Sequence, residues 1–334
     1  MNLRLSILDQ SPVISGHTPA RAIEETIKLA QAAEALGYHR YWLAEHHAVA
    51  ALADPCPEIL LTRVASATGR IRVGTGGVLL PYYSALKVAE VFRMLEALFP
   101  GRIDLGLGRA PGGDLLTAQA LSNGQYSAAD QFPQQVQDLV GFLDNALPPD
   151  HAFARVKAMP AGPAAAPIWL LGSSDYSGAL AAELGLRFAF AHFINAQGGD
   201  RVTRAYKAHF RASPREAAPH AVVCAFVICA ETAAEAEKLA ASVDLRRLQM
   251  AQGLNTPIPT LAQAESQQYS ERELTYIRSQ RARSVIGDPR QARERLLQLR
   301  EQFDADELMI LTITGDYASR LKSYELLARE FELQ

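Results

Sequence analysis

The chain has 334 residues, of which 49% are hydrophobic and 21% are charged, as expected for a folded globular protein with a sizeable core. Its 33 basic and 36 acidic residues are interspersed and leave a formal net charge of −3, which argues against a nucleic-acid-binding protein. No apolar run approaches the roughly 20 residues of a membrane span. The three cysteines have neither disulfide nor zinc spacing. We therefore expect a soluble, cytoplasmic protein and exclude disordered and coiled-coil chains.

Short apolar runs alternate with amphipathic helical patterns along the chain. The first helix begins at Thr18-Pro19 and ends before Gly37, and a short apolar run typical of a buried parallel strand follows it. The predicted strands are 3–8, 40–44, 71–80, 102–108, 167–171, 187–192, 221–229 and 306–313. The predicted helices are 19–36, 57–68, 84–99, 130–146, 175–184, 199–212, 232–249, 289–302 and 317–332. This alternation predicts an α/β protein, specifically a (β/α)8 TIM barrel.

Two connections are longer than is usual in such a barrel. Residues 109–129 are rich in Gly, Ser and Asn, and residues 250–284 are polar. Helix 289–302 directly precedes the last strand, so we expect it to be the true crossover helix. The sequence therefore predicts a single barrel domain over residues 1–334, with a lid or insertion at about 250–284 on the carboxyl-terminal face.

The active site of a barrel is built at the carboxyl ends of its strands. The second predicted strand ends in Leu43-Ala-Glu45-His46-His47, and His46 is a candidate general acid or base near neutral pH. The alternative is that both histidines are solvated polar loop residues. A metal site is not expected, because adjacent strand residues point to opposite faces and no second ligand cluster accompanies them.

Glycines and hydroxyls end the next strands. Gly76-Gly77 predict either a close approach of the backbone to a ligand or a kink that closes the barrel. The segment after the fourth strand has Pro111 at the third glycine position of a dinucleotide loop, so we exclude Rossmann-type binding. Ser173-Ser174 end the fifth strand and lead directly into a helix, where free N–H groups and hydroxyls suit a phosphate. A plain serine N-cap is the alternative.

Taken together, these strand ends resemble the bacterial luciferase-like flavin monooxygenases over nearly the whole chain. The matching landmarks are GYHRYWLAEHH (37–47), RVGTGGVLLP (72–81), PGRIDLGLGRAPGGD (100–114) and PIWLLGSSDYS (167–177). The resemblance is to uncharacterised single-chain members rather than to the light-emitting subunits. It implies a (β/α)8 barrel that binds FMN at its carboxyl-terminal mouth.

The resemblance also implies roles for individual residues. His46 matches the catalytic histidine of the family, and Gly76-Gly77 match a non-proline cis peptide that lies against the isoalloxazine. The residues that complete the expected cofactor site, mainly as phosphate contacts, are Arg109, Gly172, Ser173, Ser174, Tyr176 and Ser177. Gly108 replaces the reactive cysteine of the luciferase catalytic subunit, so aldehyde chemistry does not follow from the resemblance.

The activity implied by the resemblance is that of a two-component monooxygenase. Reduced FMN would come from a separate NAD(P)H:flavin reductase, since no nicotinamide motif is present, and O2 would oxidise a small organic substrate. A homodimer through the helices after the second and third strands is also implied. Three alternatives remain: a deazaflavin-dependent hydride-transfer enzyme, a non-catalytic flavin-binding protein, and a structural barrel that binds no flavin.

Overall fold

The computed structural model describes residues 3–109, 112–124, 130–162 and 165–333. Its strands are β1 (Arg4–Asp9), β2 (Arg40–Leu43), β3 (Arg72–Thr75), β4 (Val78–Leu79), β5 (Ile103–Gly108), β6 (Ile168–Gly172), β7 (Arg187–Ala191), β8 (Ala221–Cys229), β9 (Ser284–Gly287) and β10 (Glu307–Leu311). Its α-helices are α1 (Pro19–Ala35), α2 (Pro57–Ala67), α3 (Ala85–Leu98), α4 (Leu115–Leu121), α5 (Phe132–Asp144), α6 (Asp175–Leu184), α7 (Gly199–Ala208), α8 (Ala233–Ala251), α9 (Leu261–Glu265), α10 (Glu271–Arg281), α11 (Pro289–Phe303) and α12 (Tyr317–Glu330). Among the helices of these described ranges, none is long and apolar enough to cross a membrane.

The strands form a closed parallel barrel. Neighbouring strands pair in the order β10-β1-β2-β3-β5-β6-β7-β8, and the pairing of β10 with β8 closes the ring. The short strand β4 pairs with β5 beyond the end of β3, so β3 and β4 share one position. The ring therefore has eight positions, and the predicted (β/α)8 barrel is confirmed. The additional strand β9 pairs with the last four residues of β8.

The prediction of one continuous third strand over 71–80 is wrong. The structure divides it at the Gly76-Gly77 peptide, which is cis, and residues Leu80–Tyr82 form a 3-10 turn instead of strand. Side-chain periodicity does not report this break, because the apolar residues of 78–80 are buried whether they lie in a strand or a turn.

The long connections contain elements that the sequence did not predict. Helix α4 lies in the first connection, while α9, α10 and strand β9 lie between α8 and α11. Both α9 and α10 begin with a capping box, but each buries a single residue, Ala264 in α9 and Ile277 in α10. A helix with one buried residue has no apolar stripe from which to predict it.

The amino end of the barrel is closed by a buried ion cluster. Arg40 donates from Nε to Oε1 of Glu307 (2.7 Å) and from Nη1 to Oδ2 of Asp104 (2.7 Å). Its guanidinium carbon also lies 4.9 Å from the centroid of the Trp169 ring. Because these groups fill the lower barrel, the open interior space lies toward the carboxyl ends of the strands.

Candidate functional site

A cavity of about 390 Å³ opens at the carboxyl ends of the barrel strands. Eight of the nine predicted site residues line it: His46, Gly76, Gly77, Arg109, Gly172, Ser173, Ser174 and Ser177. The ninth, Tyr176, lies beside it, with its ring 4.3 Å from the guanidinium carbon of Arg109. A larger groove of about 500 Å³ lies between α6 and α7 on the outside of the barrel, away from the barrel mouth. The structure thus brings the predicted residues together.

His46 is held by its own loop. Its ring Nδ1 lies 3.3 Å from the carbonyl oxygen of Ala44, and its backbone N–H donates to the carbonyl oxygen of Asp54 at 3.0 Å. With Nδ1 as the donor, Nε2 carries the lone pair, and no partner for Nε2 occurs among the described residues. Burial lowers the pKa of His46, and the neighbouring His47 lowers it further. The arrangement therefore suits a neutral imidazole that can accept a proton at Nε2.

Glu45 organises the loop from which His46 projects, a role that the sequence did not reveal. Its buried carboxylate accepts hydrogen bonds from His47 Nε2 (2.7 Å), Tyr83 Oη (2.7 Å) and the Leu79 N–H (2.8 Å). These bonds connect the end of β2 to the segment after the cis peptide. The available signal was an acidic residue at the end of an apolar strand, which is rarely buried unless it is paired.

The Gly76-Gly77 peptide leaves no room for side chains on the barrel side. A Cβ on Gly77 would lie 2.8 Å from the carbonyl oxygen of Gly106, and one on Gly76 would contact Leu8. The absence of both Cβ atoms lets this backbone pack against the neighbouring strand while it also lines the cavity. A planar ligand could lie directly on such a surface.

The start of α6 and Arg109 form a cradle for an anion. Ser174 is the N-cap residue, but its side chain makes no capping hydrogen bond, and its hydroxyl has no partner among the described residues. Gly172 packs so tightly on Ser177 that an added Cβ would overlap the serine side chain. Among the described lining residues, Arg109 is the only cation. N–H groups of a helix start, two hydroxyls and a guanidinium together suit a phosphate.

The rest of the wall is mainly apolar. The aliphatic, aromatic and sulfur-containing members are Leu8, Trp42, Ala44, Leu79, Leu171, Ala189, Phe190, Ala191, Phe193, Ile194, Cys224 and Met309. Burial raises the pKa of the Cys224 thiol, so this cysteine is protonated at neutral pH. A few convergent polar groups in an apolar cavity are typical of a site for an organic cofactor or substrate.

Segment 250–284 contacts the rim rather than the cavity itself. Asn255 donates from Nδ2 to the carbonyl oxygen of Ala48 (2.8 Å) and accepts from the N–H of Ala50 (2.8 Å), both in the loop after β2. No residue of this segment appears among the described lining residues. Within the same described part of the chain, no group of three His, Cys, Asp or Glu side chains could hold a metal ion.

Comparisons with known proteins agree with this geometry. The family model described as luciferase-like monooxygenase matches residues 1–306. The chain is 37% identical over 328 residues to N-acetyl-S-alkylcysteine monooxygenase of Bacillus subtilis, which covers 98% of this chain and 97% of that protein. It is 37% identical over 324 residues to a luciferase-like monooxygenase of Escherichia coli K12, with 97% and 96% covered. The crystal structure of apo-MsnO8 superposes with a TM-score of 0.92 at 39% identity and covers 99% of both chains.

The family match spans every ring strand except β10 and every residue of the cavity wall except Met309. Both named relatives are monooxygenases and align over nearly their full lengths. The chain therefore belongs to the luciferase-like monooxygenase family and is a flavin-dependent oxidoreductase.

Proposed function

We propose that the protein is the oxygenase component of a two-component, FMN-dependent monooxygenase. In this proposal a separate NAD(P)H:flavin reductase supplies reduced FMN, and the protein uses O2 to oxidise a small organic substrate. One observation carries the proposal: the anion cradle at Arg109 and α6 shares a single apolar cavity with the free Nε2 of His46.

The residues present fit FMN. Arg109, Ser174 and Ser177 would hold the phosphate, with Ser173 and Tyr176 at its border, and the flat Gly76-Gly77 backbone would support the isoalloxazine ring. Reduced FMN, once bound, supplies the chemistry that activates O2 for transfer to the substrate.

The protein's own part is to move a proton and to exclude water. His46 would accept or return a proton at Nε2, since its lowered pKa keeps the ring neutral at pH 7. The apolar wall, which includes Trp42, Phe193 and Met309, limits the access of water to the reacting atoms.

FMN is favoured over a deazaflavin because the relatives named above are monooxygenases, and a deazaflavin would transfer hydride without oxygen. The free base at His46 favours an enzyme over a non-catalytic flavin-binding protein. The Bacillus relative is named for an S-alkylcysteine substrate, which makes thioethers the first substrate class to examine here.

We also propose a homodimer through α2 and α3. On these helices, Leu60, Leu61, Val88 and Phe92 are buried against the barrel. Ile59, in contrast, is 69% exposed, and Met94 (52%) and Leu98 (55%) lie with it along the same groove. Light scattering at micromolar concentration should give twice the 36.3 kDa chain mass, and a monomer mass would refute the dimer.

The single-domain organisation with segment 250–284 as a lid likewise remains a proposal.

The function is tested by supplying the protein with a flavin reductase, NADH, FMN and 18O2, together with a panel of thioethers, ketones and aldehydes. We expect one labelled oxygen atom in the product of at least one substrate class. A parallel reaction contains a deazaflavin in place of FMN, and oxidation that occurs only there and incorporates no label would instead identify the hydride-transfer alternative.

A further inference from the structure

Two arginines meet at the mouth of the barrel. Arg247 of α8 donates from Nη1 and Nη2 to the Ser284 hydroxyl, at 3.1 Å each, at the start of β9. Arg283, the residue before β9, donates from Nη1 to the carbonyl oxygen of Ile194 at 2.8 Å. Both also bond to Gln280, Arg247 to its backbone oxygen and Arg283 to its side chain. The partners of this pair are therefore neutral oxygens.

This pair carries a positive charge that the nearby Asp244 offsets only in part. Neither arginine has an ion-pair partner within 4 Å among the described residues. The nearby carboxylate of Asp244 is occupied by Arg281, which donates from Nε (2.8 Å) and Nη2 (2.5 Å). The Nε of Arg283 is buried and has no hydrogen-bond partner within the described part of the chain. Burial lowers the pKa of Arg247 to about 10, and the charge of Arg283 contributes to the shift.

The pair adjoins the apolar wall of the cavity. Ile194, whose carbonyl oxygen accepts from Arg283, is itself a lining residue. The guanidinium carbon of Arg247 lies 4.8 Å from the centroid of the Phe226 ring. Phe226 is two residues beyond Cys224 on β8 and therefore on the same face of that strand, the face that lines the cavity.

We propose that Arg247 and Arg283 bind the carboxylate of an organic substrate whose apolar part enters the cavity beside Phe193 and Cys224. This inference rests on the proposed function, because it assumes that the cavity holds the site of oxidation. A planar carboxylate matches the fork of a guanidinium, and an anion between two unbalanced cations removes their mutual repulsion. The substrate class is thus an amphipathic carboxylic acid rather than a neutral molecule.

A purely structural role does not account for the charges. The bonds from Arg247 and Arg283 to Ser284, Gln280 and Ile194 anchor β9 and α10 to the barrel mouth. A neutral amide side chain could make such bonds without the repulsion between two partly buried cations. Asp244 offsets only part of this repulsion, and a bound anion would offset the rest.

The proposal is tested with a matched pair of compounds, 6-(methylthio)hexanoate and 6-(methylthio)hexanamide. Each is titrated calorimetrically into the full-length protein, with and without saturating FMN. The wild type should bind the acid about tenfold or more tightly than the amide, the scale of one charge-assisted hydrogen bond. Arg247→Gln and Arg283→Gln should each remove most of this preference. Arg290→Gln, which removes an exposed arginine of α11, should keep it. Circular dichroism would show that each variant is folded.

Three results would overturn the proposal: equal binding of acid and amide, no binding of either compound, or a preference for the acid that survives in both Arg247→Gln and Arg283→Gln. A preference lost in Arg109→Gln instead would mean that the acid occupies the phosphate cradle. FMN affinity, measured in the same samples, separates the two proposals. A wild-type protein that fails to bind FMN contradicts the proposed function, while the comparison made without FMN still decides the role of the arginine pair.

Discussion

At the scale of single residues, the proposed chemistry depends on a neutral imidazole. The ring of His46 is fixed through Nδ1 by the carbonyl oxygen of Ala44, while Nε2 remains available. Burial is the main cause of its lowered pKa. His47, its neighbour, is instead bound to Glu45 and supports the loop. Adjacent histidines thus have different roles because alternate side chains of an extended chain face opposite sides.

The first prediction concerns the loss of this imidazole. His46→Ala should leave FMN affinity nearly unchanged but lower turnover about 100-fold or more, the usual effect of losing an acid–base group. Steady-state kinetics with a reductase, combined with a flavin titration, measures both quantities. Because the pKa of His46 is lowered, the acid limb of kcat/KM in the wild type should lie below the ordinary histidine value of about 6.5. Unimpaired turnover in the variant would refute the catalytic role.

The second prediction concerns the phosphate. Arg109→Ala should weaken FMN binding about tenfold or more, because a hydrogen bond to a charged group contributes roughly 1.5–3 kcal/mol. Riboflavin lacks the phosphate, so it should bind the wild type more weakly than FMN and be insensitive to the substitution. Fluorescence titrations of both ligands measure this. Equal weakening of both ligands would show that Arg109 does not contact the phosphate.

At the scale of elements, the glycine break between β3 and β4 shapes one wall of the cavity. The N–H of Gly76 donates to the carbonyl oxygen of Leu43 at 2.7 Å, and the N–H of Glu45 donates to that of Gly77 at 3.4 Å. The end of β2 is therefore bonded to both sides of the cis peptide. These two hydrogen bonds fix the position of the His46 loop relative to the Gly76-Gly77 backbone.

The third prediction concerns the packing of Gly77 against the neighbouring strand. A β-branched side chain at position 77 would meet the backbone of Gly106 and Gly108, so Gly77→Val should both weaken flavin binding and destabilise the fold by about 1–3 kcal/mol. Urea unfolding and FMN titration measure the two effects. Gly162→Ala is the control, since no atom of the described residues lies within 4 Å of its added Cβ. Wild-type stability in Gly77→Val would contradict the packing described here.

Strands and crossover helices could be predicted from the sequence because their apolar periodicity is strong. The break at Gly76-Gly77 could not be predicted from periodicity, and the cis peptide was expected only from the family resemblance. Helix α10 was missed because Ile277 is its single buried residue. Among the site residues, the role of Glu45 could not be predicted from the sequence. Two of its three hydrogen-bond donors come from a segment more than thirty positions away, and the third comes from the adjoining loop. Contacts of this kind leave no local pattern.

At the scale of the whole molecule, the ion cluster at the amino end of the barrel links distant strands. Arg40 of β2 bonds to Asp104 of β5 and Glu307 of β10, and the side chains of both acids are completely buried. The neighbouring arginines keep the pKa of each acid below its usual value. Carboxyls with a lowered folded-state pKa stabilise the fold above their ordinary range near pH 4, and that contribution is lost as the pH falls.

The fourth prediction concerns this cluster. Arg40→Met should cost about 3–5 kcal/mol of unfolding free energy at pH 7, because it removes the arginine partner of the buried Glu307 and leaves the buried Asp104 with Arg72 as its remaining cation. The loss should shrink as the pH is lowered through the range in which Asp104 and Glu307 become protonated. Urea unfolding at several pH values measures both effects. Arg290→Met, at an exposed position, should change stability little, and equal stability of the two variants would contradict the account.

We propose that the cavity at the carboxyl ends of the strands binds FMN and not a deazaflavin. Trp42, one of two tryptophans in the chain, lines this cavity, so its fluorescence reports occupancy directly. The decisive measurement is an anaerobic titration of the wild type with reduced FMN and, separately, with the reduced deazaflavin F420. Binding is monitored by tryptophan fluorescence. We expect reduced FMN to quench the signal at the lower concentration. Tighter binding of F420, or no quenching by either cofactor, would contradict the claim.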